Sequence, residues 1–427
     1  MAFKHSTNKV YTTKYGEPYL WGSGDVTTIP SNENKITASD GAADDRFGSS
    51  AVGNGRIVVG ASSDDDNGSN SGSAYIYNLD GGNQIKITAS DGAANDFFGS
   101  SVAVGNGRIV VGAGGDDDNG SGSGSAYIYD LDGTQLAKIT APDGAADDNF
   151  GSSVAIGNGR IVVGAPEDDI NEDLSLLVGT SDLQSEISSE DLQNRNVNNT
   201  GSAYIFDLDG TQLAKITPSD GDANDRFGSS VGVGNGRIVV GAYSDDDNGS
   251  DSGSAYIFDL YGTQLAKITP SDGAAYDLFG LRVAIGNGRI VVGASSDDDN
   301  GEASGSAYIF DLDGTQLAKI TASDGAAYDF FGSSVAVGNG RIVVGATSDD
   351  DNGSDSGSAY IYDLDGNQLT KITASDGASN DFFGDSVAVG NGRIVVGASY
   401  DDSSQGSAYI YQTPRVYTPY DLIYNEV

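Results

Sequence analysis

The residues of this sequence best suited to chemistry are the carboxylates and amides of an acidic loop that recurs along the chain. Five copies read Asp-Asp-Asp-Asn-Gly, beginning at residues 64, 116, 245, 297 and 349. Calcium takes roughly six to eight oxygen ligands from carboxylates, amides and carbonyls, and such a loop could supply several. The candidate metal ligands are Asp64, Asp66, Asn67, Asp116, Asp118, Asn119, Asp245, Asp247, Asn248, Asp297, Asp299, Asn300, Asp349, Asp351 and Asn352.

The same composition has a second interpretation that needs no metal. Asp, Asn, Ser and Gly form turns because their side chains bond to nearby backbone, and surface carboxylates keep a protein soluble. The loop also lacks the complete pattern Asp-x-Asp-x-Asp-Gly with a following Glu that marks a known class of calcium loop. Both interpretations stay open, and Ca²⁺ is the one cofactor that the sequence suggests.

Composition argues against most other chemistry. The 427-residue chain has no Cys, a single His (His5) and a net charge of −40, which disfavours thiolate or histidine zinc sites, a Ser-His-Asp triad and nucleic-acid binding. Carboxylates are abundant, but their repetition argues against one special acid–base pair, so we predict no enzymatic activity. No apolar stretch approaches the roughly 20 residues that span a bilayer.

The acidic loop belongs to a repeat that fills most of the chain. The pair Phe-Gly recurs at intervals of 51, 52, 77, 52, 52 and 52 residues, and the long interval is one normal unit with 25 extra residues. The seven pairs begin at Phe47, Phe98, Phe150, Phe227, Phe279, Phe331 and Phe383.

Each unit carries four strand signals, which read GSSVAVG, RIVVGA, SAYIYD and QLAKIT. The Asn-Gly pair after the first strand, for example Asn106-Gly107, predicts a type I′ hairpin. Tyr127 and Tyr129 of the third strand are predicted to pack in the core with their hydroxyl groups outward. Seven units of four antiparallel strands predict an all-β fold, a seven-bladed β-propeller, in preference to a β-solenoid.

The two ends of the repeat predict how the ring closes. The fourth-strand sequence Lys35-Ile36-Thr37 precedes the first Phe-Gly pair, whereas the last unit stops after its third strand. We therefore expect the N-terminal strand to complete the seventh blade, which leaves no open sheet edge between first and last blades. The propeller then spans residues 34–411, between an N-terminal tail (1–33) and a C-terminal tail (412–427).

These motifs resemble a known family. Phe-Gly, followed by a stretch such as Val163-Gly164-Ala165-Pro166 and then Gly-Ser-Ala-Tyr, is similar to the FG-GAP repeat, which builds the seven-bladed propeller of integrin α-chains and of bacterial and viral surface proteins. The resemblance implies a surface or extracellular binding role. The family places its calcium loop between the first two strands, where this chain has only Gly-Asn-Gly-Arg, so that calcium site is not carried over.

The fold should have two unlike faces. The 2–3 and 4–1 connections, which we call the loop face, receive the acidic loops and the segments Ser-Asp-Gly-Ala. The 1–2 and 3–4 connections, which we call the turn face, receive the Asp of the Leu-Asp-Gly turns and one Arg per unit. The seven Arg are Arg56, Arg108, Arg160, Arg237, Arg289, Arg341 and Arg393. We therefore expect an acidic loop face and a turn face of mixed charge.

Unit three is interrupted by an insertion at about 167–199 on the loop face. A capping-box pattern predicts a short helix over about 182–194 within it. Leu176 and Leu177 either pack back onto their own loop or contact a partner, and the sequence leaves both possibilities open.

The tails carry closely spaced aromatic residues, which either pack on the disc or dock into a larger assembly. The candidate partner-binding residues there are Tyr11, Tyr15, Tyr19, Trp21, Tyr417, Tyr420 and Tyr424.

Three functions follow as hypotheses. The first is a virion structural or attachment protein, for example of a bacteriophage, anchored by its tails to other structural proteins. The alternatives are a calcium-dependent bacterial surface or secreted adhesin that binds a glycan or protein, and a carbohydrate-active or lectin-like module. The first 21 residues lack the apolar segment of a secretory signal, and Met1 is retained, so we expect a virion surface or a non-classical route out of the cell.

Overall fold

The computed structural model describes residues 33–171 and 199–413, together with the short strand segments 10–12, 18–20 and 196–197. Each repeat unit contributes to a four-stranded antiparallel sheet in which the strands follow one another from the ring axis outward, as predicted. Outside these sheets, Val10–Thr12 pairs with Pro18–Leu20 and Ile170–Asn171 pairs with Asn196–Val197.

The strands of each blade are given from the inside outward. Blade 1 comprises Phe47–Gly53, Arg56–Ala61, Ser73–Asn78 and Ile85–Ile87. Blade 2 comprises Ser101–Gly105, Arg108–Ala113, Ser125–Tyr129 and Gln135–Ile139. Blade 3 comprises Ser153–Gly157, Arg160–Ala165, Ser202–Phe206 and Gln212–Ile216. Blades 4 and 5 comprise Ser230–Gly234, Arg237–Ala242, Ser254–Asp259 and Gln264–Ile268; and Arg282–Gly286, Arg289–Ala294, Ser306–Phe310 and Gln316–Ile320. Blades 6 and 7 comprise Phe331–Gly338, Arg341–Ala346, Ser358–Tyr362 and Gln368–Ile372; and Val387–Gly390, Arg393–Ala398, Ser407–Gln412 and Asn34–Ile36.

The ring closes as the sequence predicts. Asn34–Ile36 pairs antiparallel with Ser407–Gln412, with Lys35 opposite Tyr409, and so forms the outer strand of blade 7. Each innermost strand contacts the innermost strand of the next blade, including that of blade 7 against that of blade 1. The N-terminal strand therefore joins the two ends of the described chain into one closed ring.

The Asn-Gly turns adopt the predicted backbone and also link neighbouring blades. Asn106 and Gly107 have φ of 49° and 76°, which fits a type I′ turn. The side-chain oxygen of Asn54 accepts the N–H of Gly107 in the next blade at 3.0 Å, and the side chain of Asn106 does the same for Gly159 at 3.3 Å. The turns thus form hydrogen bonds around the turn-face end of the ring.

The hydrophobic core lies between blades. The ring of Phe98 packs edge-on against Tyr127 and Tyr129 of its own blade, with ring centroids 5.3 and 6.0 Å apart. One buried cluster joins these three rings to Val58 and Ile76 of the preceding blade. Because both faces of each blade are covered, the second strands are buried along the whole Ile-Val-Val run, and Tyr127 and Tyr129 are core residues as predicted.

Glycine permits the closest approach between blades. A Cβ added to Gly112, on a second strand, would lie 1.9 Å from the carbonyl oxygen of Gly151 in the next blade. Gly151 belongs to a Phe-Gly pair and has φ of +99°, a conformation that favours glycine. The Phe-Gly repeat therefore combines a large side chain that fills the space between blades with a residue that lets their backbones touch.

Two parts of the chain differ from the repeat. In blade 7 a short helical turn at Asp401–Ser404 replaces the acidic loop, and Asp402 and Ser403 have positive φ. The helix predicted at 182–194 lies outside the described residues. Within the described part of the chain, no helix is long and apolar enough to cross a membrane.

We expect the N-terminal strand to be needed for full stability. A chain starting at Glu33 should melt like the parent, whereas a chain starting at Ala38 loses the buried Ile36 and the outer strand of blade 7. Its melting temperature should fall by about 5 °C or more, measured by calorimetry. Equal melting of the two truncated chains would contradict a closing role for this strand.

Candidate functional site: lysine–aspartate clusters of the loop face

In each blade, carboxylates of the connection between the second and third strands and of the linker from the preceding blade converge on a lysine. In blade 2, Lys138 on the outer strand places its Nζ 2.8 Å from Asp91, 2.9 Å from Asp116 and 2.6 Å from Asp118. The equivalent lysines are Lys35, Lys86, Lys215, Lys267, Lys319 and Lys371. Asp116 and Asp118 belong to the acidic loop of the same blade, and Asp91 belongs to the linker from the preceding blade, so each lysine ties two blades together.

A tyrosine completes each cluster. The hydroxyl of Tyr127 lies 2.9 Å from Asp91 Oδ1 and 2.8 Å from Asp116 Oδ2, and its single proton is shared between them. The ammonium of Lys138 also lies 5.2 Å from the centre of the Tyr127 ring, within the range of a cation–π contact. The hydroxyl group of Tyr127, which was predicted to point outward, therefore contacts both the linker and the acidic loop.

The cluster fixes its own protonation. Burial alone would lower the pKa of Lys138, but hydrogen bonds to Asp118, Asp91 and Asp116 raise that pKa overall. Burial alone would raise the pKa of Asp91, but the bonds from Lys138 and Tyr127 hold it below its ordinary value. Burial and the charge of Asp116 raise the pKa of Tyr127. At neutral pH the lysine is therefore charged and the tyrosine neutral.

The acidic loop also bonds to its own backbone. Asp116 Oδ1 accepts the N–H of Asp118 at 3.1 Å, and Asp117 Oδ1 accepts the N–H of Gly122 at 2.8 Å. These are the bonds that the turn interpretation of the loop predicts.

Two of the predicted metal ligands, Asp349 and Asp351, meet a third carboxylate that was not predicted as a ligand, Asp324. Asp324, Asp349 and Asp351 of the blade 6 cluster each offer an oxygen within 4.8 Å of the others, close enough for one cation, and Lys371 already contacts all three. No hydrogen bond joins any of the five predicted Asn ligands to a cluster lysine within the described residues; Asn119 instead donates to the carbonyl oxygen of Ala141 at 3.2 Å. Calcium stays a prediction, and the ammonium group is its competitor.

Sequence reasoning missed the lysines as members of this site. Lys138 lies 22 residues from Asp116 and 47 residues from Asp91 in the chain. The signal was nevertheless present, because in each of the five units with an acidic loop the outer-strand Lys follows the first Asp of that loop by 22 residues.

Each linker also contains a second, buried carboxylate, which accepts a hydrogen bond from the backbone of the same linker. Asp225 is 4% exposed, and its Oδ2 accepts the N–H of Asp222 at 2.7 Å. Burial raises the pKa of Asp225 to about 7, and the pKa of Asp148 and of Asp277 to about 6. The equivalent residues are Asp45, Asp96, Asp148, Asp277, Asp329 and Asp381.

The turn face has the mixed charge that the sequence predicts. Arg56 Nη2 lies 3.2 Å from Asp132 Oδ1, and Arg56 Nε donates to the carbonyl oxygen of Leu131 at 3.1 Å, both in the Leu-Asp-Gly turn of the next blade. The repeated arginines therefore link neighbouring blades on this face.

The side chains of the candidate partner-binding residues lie outside the described part of the chain. The backbone of Tyr11 pairs with that of Tyr19. The side chains of Tyr11 and Tyr19, and the residues Tyr15, Trp21, Leu176, Leu177, Tyr417, Tyr420 and Tyr424, lie outside the described residues.

Comparison with known proteins identifies the repeat. The family model described as FG-GAP repeat matches well over half of the chain, at residues 30–77, 82–129, 134–179, 211–258, 263–310, 315–362 and 367–411. Six of the seven matches join the outer strand of one blade to the first three strands of the next, the same division that closes the ring; the match at 134–179 covers only the first two strands of blade 3 and ends in the insertion. No curated protein matches the chain.

Lys138→Met should destabilise the propeller, because it leaves the buried Asp116 and its neighbours without a counter-charge. We expect the free energy of unfolding to fall by on the order of 3 kcal/mol, measured by denaturant titration. Leu136→Ala, at an exposed position on the same strand, is the matched control and should change it by about 0.5 kcal/mol or less. Millimolar Ca²⁺ should raise the melting temperature of Lys138→Met and leave the parent unchanged; a shift in the parent would support the calcium interpretation instead.

Stability should also depend on the buried linker carboxylates. The folded-state pKa of Asp225, about 7, exceeds its ordinary value of 3.8. Between these values the folded state binds more protons than the unfolded state, so stability rises as pH falls from 7 toward 4. Asp225→Asn keeps the acceptor for the Asp222 N–H and should reduce this slope in melting scans. Asp209→Asn, at an exposed turn, is the control and should leave the pH dependence of stability unchanged. Identical slopes of melting temperature against pH in the two variants would refute the raised pKa of Asp225.

Proposed function

The chain belongs to the FG-GAP repeat family, whose propeller fold suggests a binding scaffold, and we propose that this protein is a non-catalytic display scaffold held by its two tails in a larger assembly. In its most specific form the proposal is a structural or attachment protein on the surface of a virion. The acidic loop face points away from the anchor and is free to bind.

The points where the tails join the ring carry this proposal. The N-terminal tail enters blade 7 at Asn34, whose Nδ2 donates to the carbonyl oxygen of Asp80 in a turn-face turn of blade 1 at 2.9 Å. The C-terminal tail leaves after Thr413, whose N–H donates to the carbonyl oxygen of Gly392 in the Asn-Gly turn of blade 7 at 3.0 Å. Both tails therefore leave from the turn face, where other blades have their Leu-Asp-Gly turn. Anchoring through them presents the opposite face.

The clusters support a binding role over a catalytic one. The repeated Lys and Tyr are engaged in joining loops to linkers, and all seven blades have this arrangement. Seven sites that share one Lys–Tyr–Asp arrangement give no single group the distinct environment that acid–base catalysis uses. Repetition around a ring instead suits a partner that engages several copies of one weak contact at once.

A second candidate is a calcium-dependent adhesin. The three carboxylates of the blade 6 cluster favour it, because they lie close enough to share a cation. It differs from the first proposal in one measurable respect: its binding to cells is lost in EDTA and restored by calcium, whereas attachment through the tails is indifferent to chelation.

Cysteine labelling tests the orientation, because the chain has no Cys of its own. Ser250→Cys places a thiol on the loop face, and Asp313→Cys places one in a turn of the turn face; both positions are exposed in the ring. In the free protein both should react with a maleimide. In the assembly purified from the source, we expect Ser250→Cys to react at the free-protein rate and Asp313→Cys at least about tenfold more slowly. Recovery of the chain from its source as a lone monomer, or protection of the loop face, would overturn the proposal.

A further inference from the structure

The axial channel of the ring opens on the loop face into a cavity of about 530 Å³, lined at the start of all seven innermost strands. Its wall consists mainly of serine hydroxyl groups. Ser101 Oγ accepts the N–H of Val154 in the next blade at 3.0 Å, and Ser153 does the same for Val231 at 3.0 Å. Because each of these oxygens accepts a backbone bond, its own O–H remains available to donate into the channel.

Two charged residues break the sevenfold pattern at this mouth. Arg282 stands where the other six units have Ser, and Asp385 stands one position earlier, where five units have Ser and one has Leu281. Both line the cavity. No other position along the innermost strands exchanges a neutral side chain for a charge.

These two residues have unused hydrogen-bonding capacity among the described residues. Arg282 donates once, from Nη1 to the carbonyl oxygen of Leu281 at 2.9 Å, and forms no ion pair there. Asp385 accepts the N–H of Ser399 at Oδ2, 2.9 Å away, but its Oδ1 is buried and has no partner in this part of the chain. Oδ1 lies against the backbone of Gly397, so a ligand in the cavity reaches this carboxylate at Oδ2, which accepts one backbone bond and has a second lone pair.

The local charge selects for an anion. The chain carries a net charge of −40, yet the lining of this cavity contains two cations, Arg46 and Arg282, against the single carboxylate Asp385. The planar guanidinium fork of Arg282 matches a carboxylate through paired N–H donors. The surrounding hydroxyl groups match the hydroxyl groups of a sugar, and a volume of this size falls in the range of small-molecule sites.

We propose that the loop-face mouth of the axial channel binds one carboxylated sugar residue, with its carboxylate on Arg282 and a sugar hydroxyl donating to Asp385. The proposal assigns a ligand class, carboxylated sugars, to the loop face of the display scaffold. It rests on the proposed binding role of the loop face, and it does not depend on which assembly holds the tails.

Calorimetric titration of the full-length protein tests the site. The probes are D-glucuronate and N-acetylneuraminate, with D-glucose as the neutral control and inorganic phosphate and glutamate as anions without sugar hydroxyl groups. We expect one site per chain for at least one acidic sugar, and binding of the other three probes at least about tenfold weaker.

Variants that restore the repeat residue separate binding from folding. Arg282→Ser and Asp385→Ser each install the residue that most other units carry there, so the fold should be kept, which the melting temperature checks. We expect Arg282→Ser to weaken acidic-sugar binding about tenfold or more, and Asp385→Ser to reduce the preference for sugar acids over glutamate. Arg341→Ser, on the turn face, is the matched control and should bind like the parent.

Three results would overturn the proposal: no heat with either acidic sugar, equal binding of phosphate or glutamate, or unchanged binding in Arg282→Ser. None of them would touch the proposed anchoring, which the thiol labelling tests separately. Conversely, a failed labelling experiment would leave a positive titration standing.

Discussion

The ring depends on one steric constraint, the contact of glycine backbones between neighbouring blades. Gly112 and Gly151 approach so closely that no side chain fits between them. This contact fixes the spacing of the blades. Phe98 and its counterparts then fill the remaining space against the aromatic residues of the third strand. The linkers and acidic loops of adjacent blades are consequently brought side by side, and the lysine clusters form where they meet.

The lysine clusters offset the repulsion between the carboxylates of the loop face. Three carboxylates and one ammonium in a blade leave an excess of negative charge, but each member has a partner of opposite sign or a hydrogen-bond donor. The cation that an acidic loop calls for is supplied by the outer strand of the same blade. Because the lysine is part of the chain, the blades are joined at any calcium concentration, and a metal would have to compete with a covalently tethered charge.

Much of this architecture could be predicted from the sequence. The period of the Phe-Gly pairs, the Asn-Gly turns and the displaced Lys35-Ile36-Thr37 strand sufficed for the blades, the turns and the closure, because each depends on local patterns. The cluster needed more. Lys138 meets Asp91 only after two blades pack. From the sequence alone, this lysine resembles a solvent-exposed charge on an edge strand. The Oδ1 of Asp385, which has no hydrogen-bond partner among the described residues, is likewise a property of packing that no spacing rule reveals.

The position of the two chain ends has a mechanical consequence. Asn34 begins the outer strand of blade 7, and Thr413 directly follows the antiparallel neighbouring strand Ser407–Gln412, so both lie at the turn-face end of the blade. A force that pulls the two tails apart breaks the hydrogen bonds between these strands one at a time, as in opening a zipper, and needs little work at each step. A force between a ligand on the loop face and both tails together pulls both strands in the same direction along their length, so it does not peel this pair open. The same short strand pair is therefore opened when the tails are separated but not when both are pulled together, which is the load that the proposed anchoring would apply.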